Sequence, residues 1–345
     1  MILGLLHEIS RRPELEKDFR FILYFKDKIP DFSFLNAPIF EKKIVPVLFF
    51  RGRLFPIYYF VLLPMKLWFE RLDYMFWPNY MLPIIAFGKS IVMLTEDVYY
   101  ETYEGRLPFR YRLAYGIFAW WTARFANKIL AISETSKKNV SRLYKINPKR
   151  ILVNYLGIDI PKLTSLPAYK PTSYILYVGQ MFPRRHAKET ILAFEKLGDN
   201  DLALVMIGSD KYPSNTIEPF ISDVNSRLGR EAIIHKDYVN DEELAGLYSN
   251  AKALIYVSDR EAFGLPPMEA LSFGVSPIVM DNELSHELFG EYAFYTKDSS
   301  IESISQSIRE ALSASNEKIR CEGPVFVKKY NWKNFADKFI TQLNE

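Results

Sequence analysis

From Tyr174 onward the chain alternates short apolar, β-branched runs with stretches whose apolar positions recur every three or four residues. That alternation is the pattern of parallel βαβ units. Strands are predicted at Tyr174–Val178, Leu202–Ile207, Ala232–His235, Ala253–Val257 and Pro277–Met280. Helices are predicted at Lys188–Leu197, with Ile191, Phe194 and Leu197 on one face, and at Ile217–Leu228. Two more are predicted at Asp241–Tyr248, burying Leu244, Leu247 and Tyr248, and at Pro267–Phe273, ended by Gly274. This half reads as a doubly wound sheet. The first half is less regular, yet Arg20–Phe25, Ile91–Leu94, Ile129–Ile132 and Ile151–Asn154 read as strands, with a helix over Glu134–Tyr144. A second sheet is therefore expected. Gly157–Ser173, with three prolines and little periodicity, reads as the linker. The expected division is 1–160, 161–328, and a terminal helix, 329–345, returning toward the first domain. Ligand sites of such sheets lie beyond the strand C-termini, so two facing domains put the site in the cleft.

Length supports the division, because 345 residues exceed what one core usually organises. A hydrophobic share of 49% with 25% charged residues excludes disordered and coiled-coil classes. Forty-four Lys and Arg against 41 Asp and Glu leave +3, too little to argue for nucleic acid through bulk charge. A single cysteine, Cys321, excludes an internal disulfide framework and fits a reducing cytoplasm. The apolar stretches Leu54–Met65 and Tyr74–Gly88 are broken by Pro56, Pro64, Pro78 and Pro83 and are too short to span a bilayer. Glu8 arrives too early for a signal peptide. Aromatic residues reach 15% and crowd into the first 125 positions, which needs a reason. In residues 47–88 they are interleaved with Arg51, Arg53, Lys66 and Arg71. The block reads either as core plus surface loops or as a basic, aromatic face on the cytoplasmic side of a membrane.

The most informative stretch is Ser258–Gly274, SDREAFGLPPMEALSFG. It follows a strand, turns at a glycine and opens a helix with Pro266 and Pro267 near its start, where a missing N–H costs little. Amides of Phe263, Gly264 and Leu265 at that helix N-terminus form an expected anion site. Glu261 and Glu269 bracket it, separated by seven residues. Glu269, placed in the first helical turn, is alone equally readable as a capping carboxylate.

This E-x7-E element with its EAFGLPP core resembles the retaining nucleotide-sugar glycosyltransferases of the GT-B fold, the large group of bacterial mannosyl-, glucosyl- and rhamnosyltransferases. Further pieces fall in that family's order. Tyr177-Val-Gly179-Gln180-Met-Phe-Pro-Arg184-Arg185 looks like the strand and basic loop that hold the donor diphosphate. Val205–Gly208 is similar to the second donor-domain strand, and Tyr238–Tyr248, opening with Tyr238 and Val239, to the loop and helix near the base. Ala131–Ser136 and Asn154–Asp159 resemble the family's end-of-domain and hinge segments. The likeness runs over residues 70–340.

It implies two Rossmann-like parallel-sheet domains and a hexosyl transfer from a nucleoside-diphosphate sugar, GDP-mannose ahead of a UDP-sugar, to a glycan or polyprenyl-linked acceptor. Glu261 is then expected to hold the transferred sugar, Glu269 the ribose diol, and Arg184, Arg185 and the amides of 263–265 the diphosphate. No cofactor or metal is expected: His7, His186, His235 and His286 are scattered, and Asp199-Asn-Asp201, although a D-x-D pattern, reads as a solvated turn. The arginine pair keeps an alternative as an exposed loop.

The chain departs from the family at three points. Gln180 replaces an expected arginine, with Arg184 or His186 as substitutes. The acceptor-side His-Asp pair appears as Glu96-Asp97, leaving Asp97 as the matching residue. Met1–Leu15 reads as the helix that follows the family's opening strand and glycine loop, which suggests a start assigned downstream of the true one or a shortened chain, ahead of a domain viable without that strand. The rival functions are a catalytically silent sugar-nucleotide-binding subunit and a sugar-nucleotide epimerase.

Overall fold

The structure, a computed structural model, describes residues 1–25, 28–45, 59, 62–83, 88–103, 108–160, 171, 173–212 and 216–344. Much of the predicted linker and of the 47–88 block lies outside these residues. The chain forms two compact units, Met1–Gly157 with Tyr330–Glu345, and Ile158–Lys329.

The first unit opens with α1 (Ile2–Ser10), which buries Leu5 and Ile9. Strands β1 (Phe21–Phe25) and β2 (Phe40–Ile44) pair in parallel as a sheet of their own. After α2 (Leu63–Phe69) come β3 (Tyr74–Trp77), β4 (Lys89–Met93), α3 (Glu96–Tyr103) and α4 (Phe109–Phe125). Then follow β5 (Lys128–Ala131), α5 (Glu134–Tyr144) and β6 (Ile151–Val153). The four later strands form one parallel sheet in the order β3-β4-β5-β6. Its core is built from Val92, Leu94, Ile129, Ala131, Val140 and Ile151. Strand β4 is buried from Ser90 to Val92, as expected of a parallel strand covered on both faces. The one polar position in that run is satisfied: Asn127 N–H donates to Ser90 Oγ at 3.2 Å and Ser90 N–H to Asn127 Oδ1 at 2.9 Å. Ser133 caps α5 by accepting from Ser136 N–H at 2.9 Å.

The second unit contains β7 (Tyr174–Val178), α6 (Ala187–Glu195), β8 (Ala203–Ile207), α7 (Ile217–Leu228), β9 (Ile233–Lys236), α8 (Asp241–Asn250) and β10 (Ala253–Tyr256). It continues through α9 (Leu265–Ser272), β11 (Ser276–Met280), α10 (Glu283–Phe289), β12 (Phe294–Thr296), α11 (Ile301–Ser313) and α12 (Glu317–Phe326). All six strands are parallel, in the order β12-β11-β10-β7-β8-β9. The chain winds outward from β7 to β9 on one side and then starts again at β10 on the other. The topological switch point therefore lies between β7 and β10, where such sheets hold their ligands. The last helix, α13 (Trp332–Leu343), belongs to the first unit, where Asn154 Nδ2 donates to Phe335 O at 2.9 Å. Trp332 fits against two glycines: a Cβ at Gly4 would stand 2.3 Å from its ring and one at Gly157 2.5 Å from its backbone nitrogen.

Several elements differ from the expectation. Strands β2, β3 and β12 and helices α2, α3, α4, α10, α11 and α12 join the predicted set. Leu244 stays partly exposed, α8 burying Ala245, Gly246, Leu247 and Tyr248 instead. Helix α9 begins two residues before the predicted Pro267, because Gly264 at φ +95° lets the chain turn directly into it.

At the mouth of the switch point two glycines meet back to back. Gly208, at φ +139°, would place a Cβ 2.1 Å from the Gly179 carbonyl oxygen. Gly208→Ala is therefore expected to destabilise the chain by on the order of 1–3 kcal/mol through backbone strain alone. An unchanged denaturation midpoint would contradict this close approach.

Candidate functional site

Two loops leave the adjacent strands β7 and β10 at their carboxyl ends, Gly179–His186 and Val257–Gly264. Arg185, on the first, reaches Glu261, on the second, through two charge-assisted bonds: Nε to Oε1 at 2.6 Å and Nη2 to Oε2 at 3.0 Å. Both side chains are largely buried, at 16% and 17% exposure, so this bidentate pair is shielded from bulk water. The guanidinium also donates from Nη2 to Tyr256 OH at 3.1 Å and from Nη1 to Gln180 O at 3.3 Å. Ser258 Oγ donates to Glu261 Oε1 at 3.0 Å. Burial, with the Glu261 carboxylate next, pushes the Tyr256 phenol well above its ordinary pKa, so it stays a neutral hydroxyl. Gly179 has no side chain for a steric reason: a Cβ there would lie 2.7 Å from Arg185 Nη1.

Helix α9 starts beside this pair. Pro266 and Pro267 contribute no N–H, so the amides nearest that N-terminus are those of Phe263, Gly264 and Leu265. Phe263 is buried and Leu265 exposed. Because α9 begins at Leu265, Glu269 stands in its second turn, and the first turn holds no acidic residue. The capping explanation of Glu269 accordingly falls away, since dipole effects fade within one turn. What holds Glu269 is Tyr248 of α8, fully buried, whose hydroxyl donates to Oε2 at 2.8 Å. Burial, opposed by that hydroxyl, raises the Glu269 carboxyl above the usual carboxylate range.

The other predicted residues are distributed around this centre. Arg184 lies with its guanidinium over the Phe182 ring, 4.6 Å from the centroid, and its carbonyl accepts from Asp259 N–H at 3.0 Å. His186 adopts φ +46° and places Nε2 2.6 Å from Asp259 Oδ1. Glu189 and then Asp259 raise the His186 pKa against the effect of burial. The structure thus separates the two arginines that the sequence treats as one pair. Tyr238 is 80% exposed, whereas Val239 beside it is buried. In the first unit Glu96 is buried and accepts from Ser136 Oγ at 2.5 Å and Asn139 Nδ2 at 3.3 Å, which makes it a tie between α3 and α5. Asp97 stands next to it in the first turn of α3. The Asp199 carboxylate accepts from the N–H of Asp201 and Leu202, at 2.9 and 3.2 Å, closing a turn. Among the described residues no cluster of three His, Cys, Asp or Glu could hold a metal.

Sequence reasoning missed Tyr256 and Ser258, and treated Tyr248 only as core. A hydroxyl at the last residue of β10 and another two residues later, three positions before Glu261, was the available signal.

Residues 162–323 match the family model described as Glycosyl transferases group 1. An O-antigen chain mannosyltransferase B of Escherichia coli is 29% identical over 232 residues, covering 62% of this chain and 60% of the relative. A GDP-mannose:cellobiosyl-diphosphopolyprenol alpha-mannosyltransferase of Xanthomonas oryzae is 24% identical over 231 residues, covering 63% of this chain and 58% of the relative. The chain thus spans about 60% of the length of the curated relatives it matches. Among solved structures WaaG, a glycosyltransferase involved in lipopolysaccharide biosynthesis, superposes with a TM-score of 0.66 at 16% identity, over 99% of this chain and 96% of that one. The fold is that of the GT-B glycosyltransferases, and residues 162–323 form a group 1 glycosyltransferase domain.

Proposed function

Starting from a chain that carries a group 1 glycosyltransferase domain, we propose a retaining, metal-independent hexosyltransferase that moves mannose from GDP-mannose to a glycan or lipid-linked glycan. The observation that supports this most is the Arg185–Glu261 pair at the switch point, flanked by the amides of 263–265 and by Glu269. Departure of a nucleoside diphosphate builds negative charge on the β-phosphate, which must meet fixed cations or amides. Arg185 supplies the cation and residues 263–265 the amides. Glu261 pairs with Arg185, so a diphosphate that takes Arg185 replaces a carboxylate as its partner. That exchange frees Glu261 to accept from the hydroxyls of the transferred sugar. Glu269, oriented by Tyr248, accepts from the ribose diol, and His186 with Gln180 lines the phosphate loop. Arg184 adds positive potential from its place over Phe182. Attack from the face of departure, with the leaving phosphate taking the acceptor proton, is the route that the family resemblance implies. Mannose is favoured by the activities for which both relatives are named, and GDP by that of the second.

A thermal-shift panel of nucleoside diphosphates tests the donor. GDP at a hundred times its dissociation constant should stabilise the chain by ~2.7 kcal/mol. A larger shift with UDP at equal concentration would transfer the assignment to a UDP-sugar, and no shift with any nucleotide would remove the donor site. Turnover should also survive EDTA, because an arginine and helix amides stand where a metal would neutralise the diphosphate. Loss of activity in EDTA that manganese or magnesium restores would contradict this.

A further inference from the structure

Helix α4 packs Phe118 and Trp121 inward yet turns a second set of large apolar side chains to solvent. Ala119, Thr122 and Ala123 are its buried residues. Phe109, Leu113, Ile117, Trp120 and Arg124 recur at spacings of four, four, three and four, which puts them on one face of a helix. The four apolar members of that stripe are exposed, Phe109 to 76% and Trp120 to 61%. A soluble surface helix keeps its large apolar residues turned inward. The stripe is bordered by exposed arginines, Arg110 and Arg124, and Phe109–Phe125 contains no acidic residue.

Helix α2 is apolar on both faces and exposes Met65, Trp68 and Phe69. Its Leu63 and Leu67 join a buried cluster that also packs Phe118 of α4, while Met65 and Phe69 are exposed, Phe69 to 79%. Seventeen residues make α4 about 25 Å long, and among the described residues no helix is long and apolar enough to cross a membrane.

We infer that the outer face of α4, extended by α2, lies on an anionic lipid surface, with its aromatic and aliphatic side chains at the acyl boundary and its arginines at the headgroup phosphates. Charge complementarity selects this occupant. A stripe with flanking arginines and no carboxylate suits a uniformly anionic plane. Tryptophan and phenylalanine beside arginine is also the composition found at membrane interfaces. The sequence alone had pointed to residues 47–88 for such a contact, most of whose first part lies outside the described residues. The surface found here is centred on α4 and involves none of the donor-site residues, so it stands or falls apart from the proposed transfer reaction.

The test is co-sedimentation of the full chain with phosphatidylcholine vesicles, with and without phosphatidylglycerol. Wild type should pellet with the anionic vesicles, and less so as salt is raised. Arg110→Gln with Arg124→Gln should weaken partitioning on the order of thirty-fold, from ~1 kcal/mol for each arginine. Ile117→Glu with Trp120→Glu should weaken it by roughly tenfold or more, through lost apolar burial. Should the glutamate pair lower the unfolding midpoint, the arginine pair decides the matter, because it leaves the packing intact. Equal recovery in the supernatant with and without vesicles overturns the inference, as does vesicle binding that neither pair alters. A fall in sedimentation coefficient in either variant, without loss of vesicle binding, would identify the face as a contact between copies of the chain and overturn it too.

Discussion

Arg185→Ala is expected to lower kcat/KM by roughly 30- to 1,000-fold, equivalent to about 2–4 kcal/mol of transition-state stabilisation, the effect of removing one donor to a developing oxyanion. The geometry adds a second consequence. Glu261 lies 2.6 Å from Arg185 and is largely buried, so the single variant leaves a carboxylate without its cation. Losing one partner of such a pair costs more than losing both. The unfolding midpoint of Arg185→Ala should therefore fall, and adding Glu261→Gln should recover part of it without restoring turnover. Stability and activity then separate in one double-mutant cycle. Wild-type turnover in Arg185→Ala would mean that the diphosphate sits elsewhere.

The two glutamates should fail in different ways. Glu269 is in the second turn of α9, past the amides, and its contact to a ribose would not change as the glycosidic bond breaks. Losing it weakens ground and transition states alike, so Glu269→Gln is expected to raise the donor KM with little change in kcat. Glu261 precedes the amides and pairs with Arg185, the proposed phosphate cation. Contacts from Glu261 to the transferred sugar would tighten as the ring flattens toward an oxocarbenium-like state, so Glu261→Gln should mainly lower kcat. A donor KM that rises only with Glu261→Gln, while kcat falls only with Glu269→Gln, would reverse the roles. Stability offers a check on the Glu269 environment. Burial holds its carboxyl above the ordinary range, so its contribution is most favourable at low pH and is lost as pH rises through the folded value. Glu269→Gln, which still accepts from Tyr248, should therefore not lower the midpoint at neutral pH.

The second unit was the more legible because its central strands β7, β8 and β10 are buried throughout and its helices on one face. Ile217–Leu228, for example, has the same limits in the pattern and in the structure. The first unit was harder for identifiable reasons. Strand β2 reads FEKKI, and three charged residues in five positions hide a strand that belongs to a two-stranded sheet with no deep core. Strand β3 reads YMFW and has no polar alternation to mark it. Helix α4 is apolar on both faces, so its 3.6-residue period is invisible. Within the site, Arg185, Glu261 and the glycine turn were readable from a local motif. The bidentate pairing was not, because it joins residues 76 positions apart whose approach depends on strand order. Tyr248 was similarly hidden, its position fitting a core residue while its hydroxyl serves Glu269.

A crystal structure with GDP bound tests most directly whether a nucleoside diphosphate occupies the switch point of the second unit. The pyrophosphate is predicted within hydrogen-bonding distance of Arg185 and of the amides of Phe263, Gly264 and Leu265, with Arg185 drawn off Glu261 and the ribose hydroxyls on Glu269. Density for GDP at any other place, or an Arg185–Glu261 pair left intact beside a bound nucleotide, would contradict it.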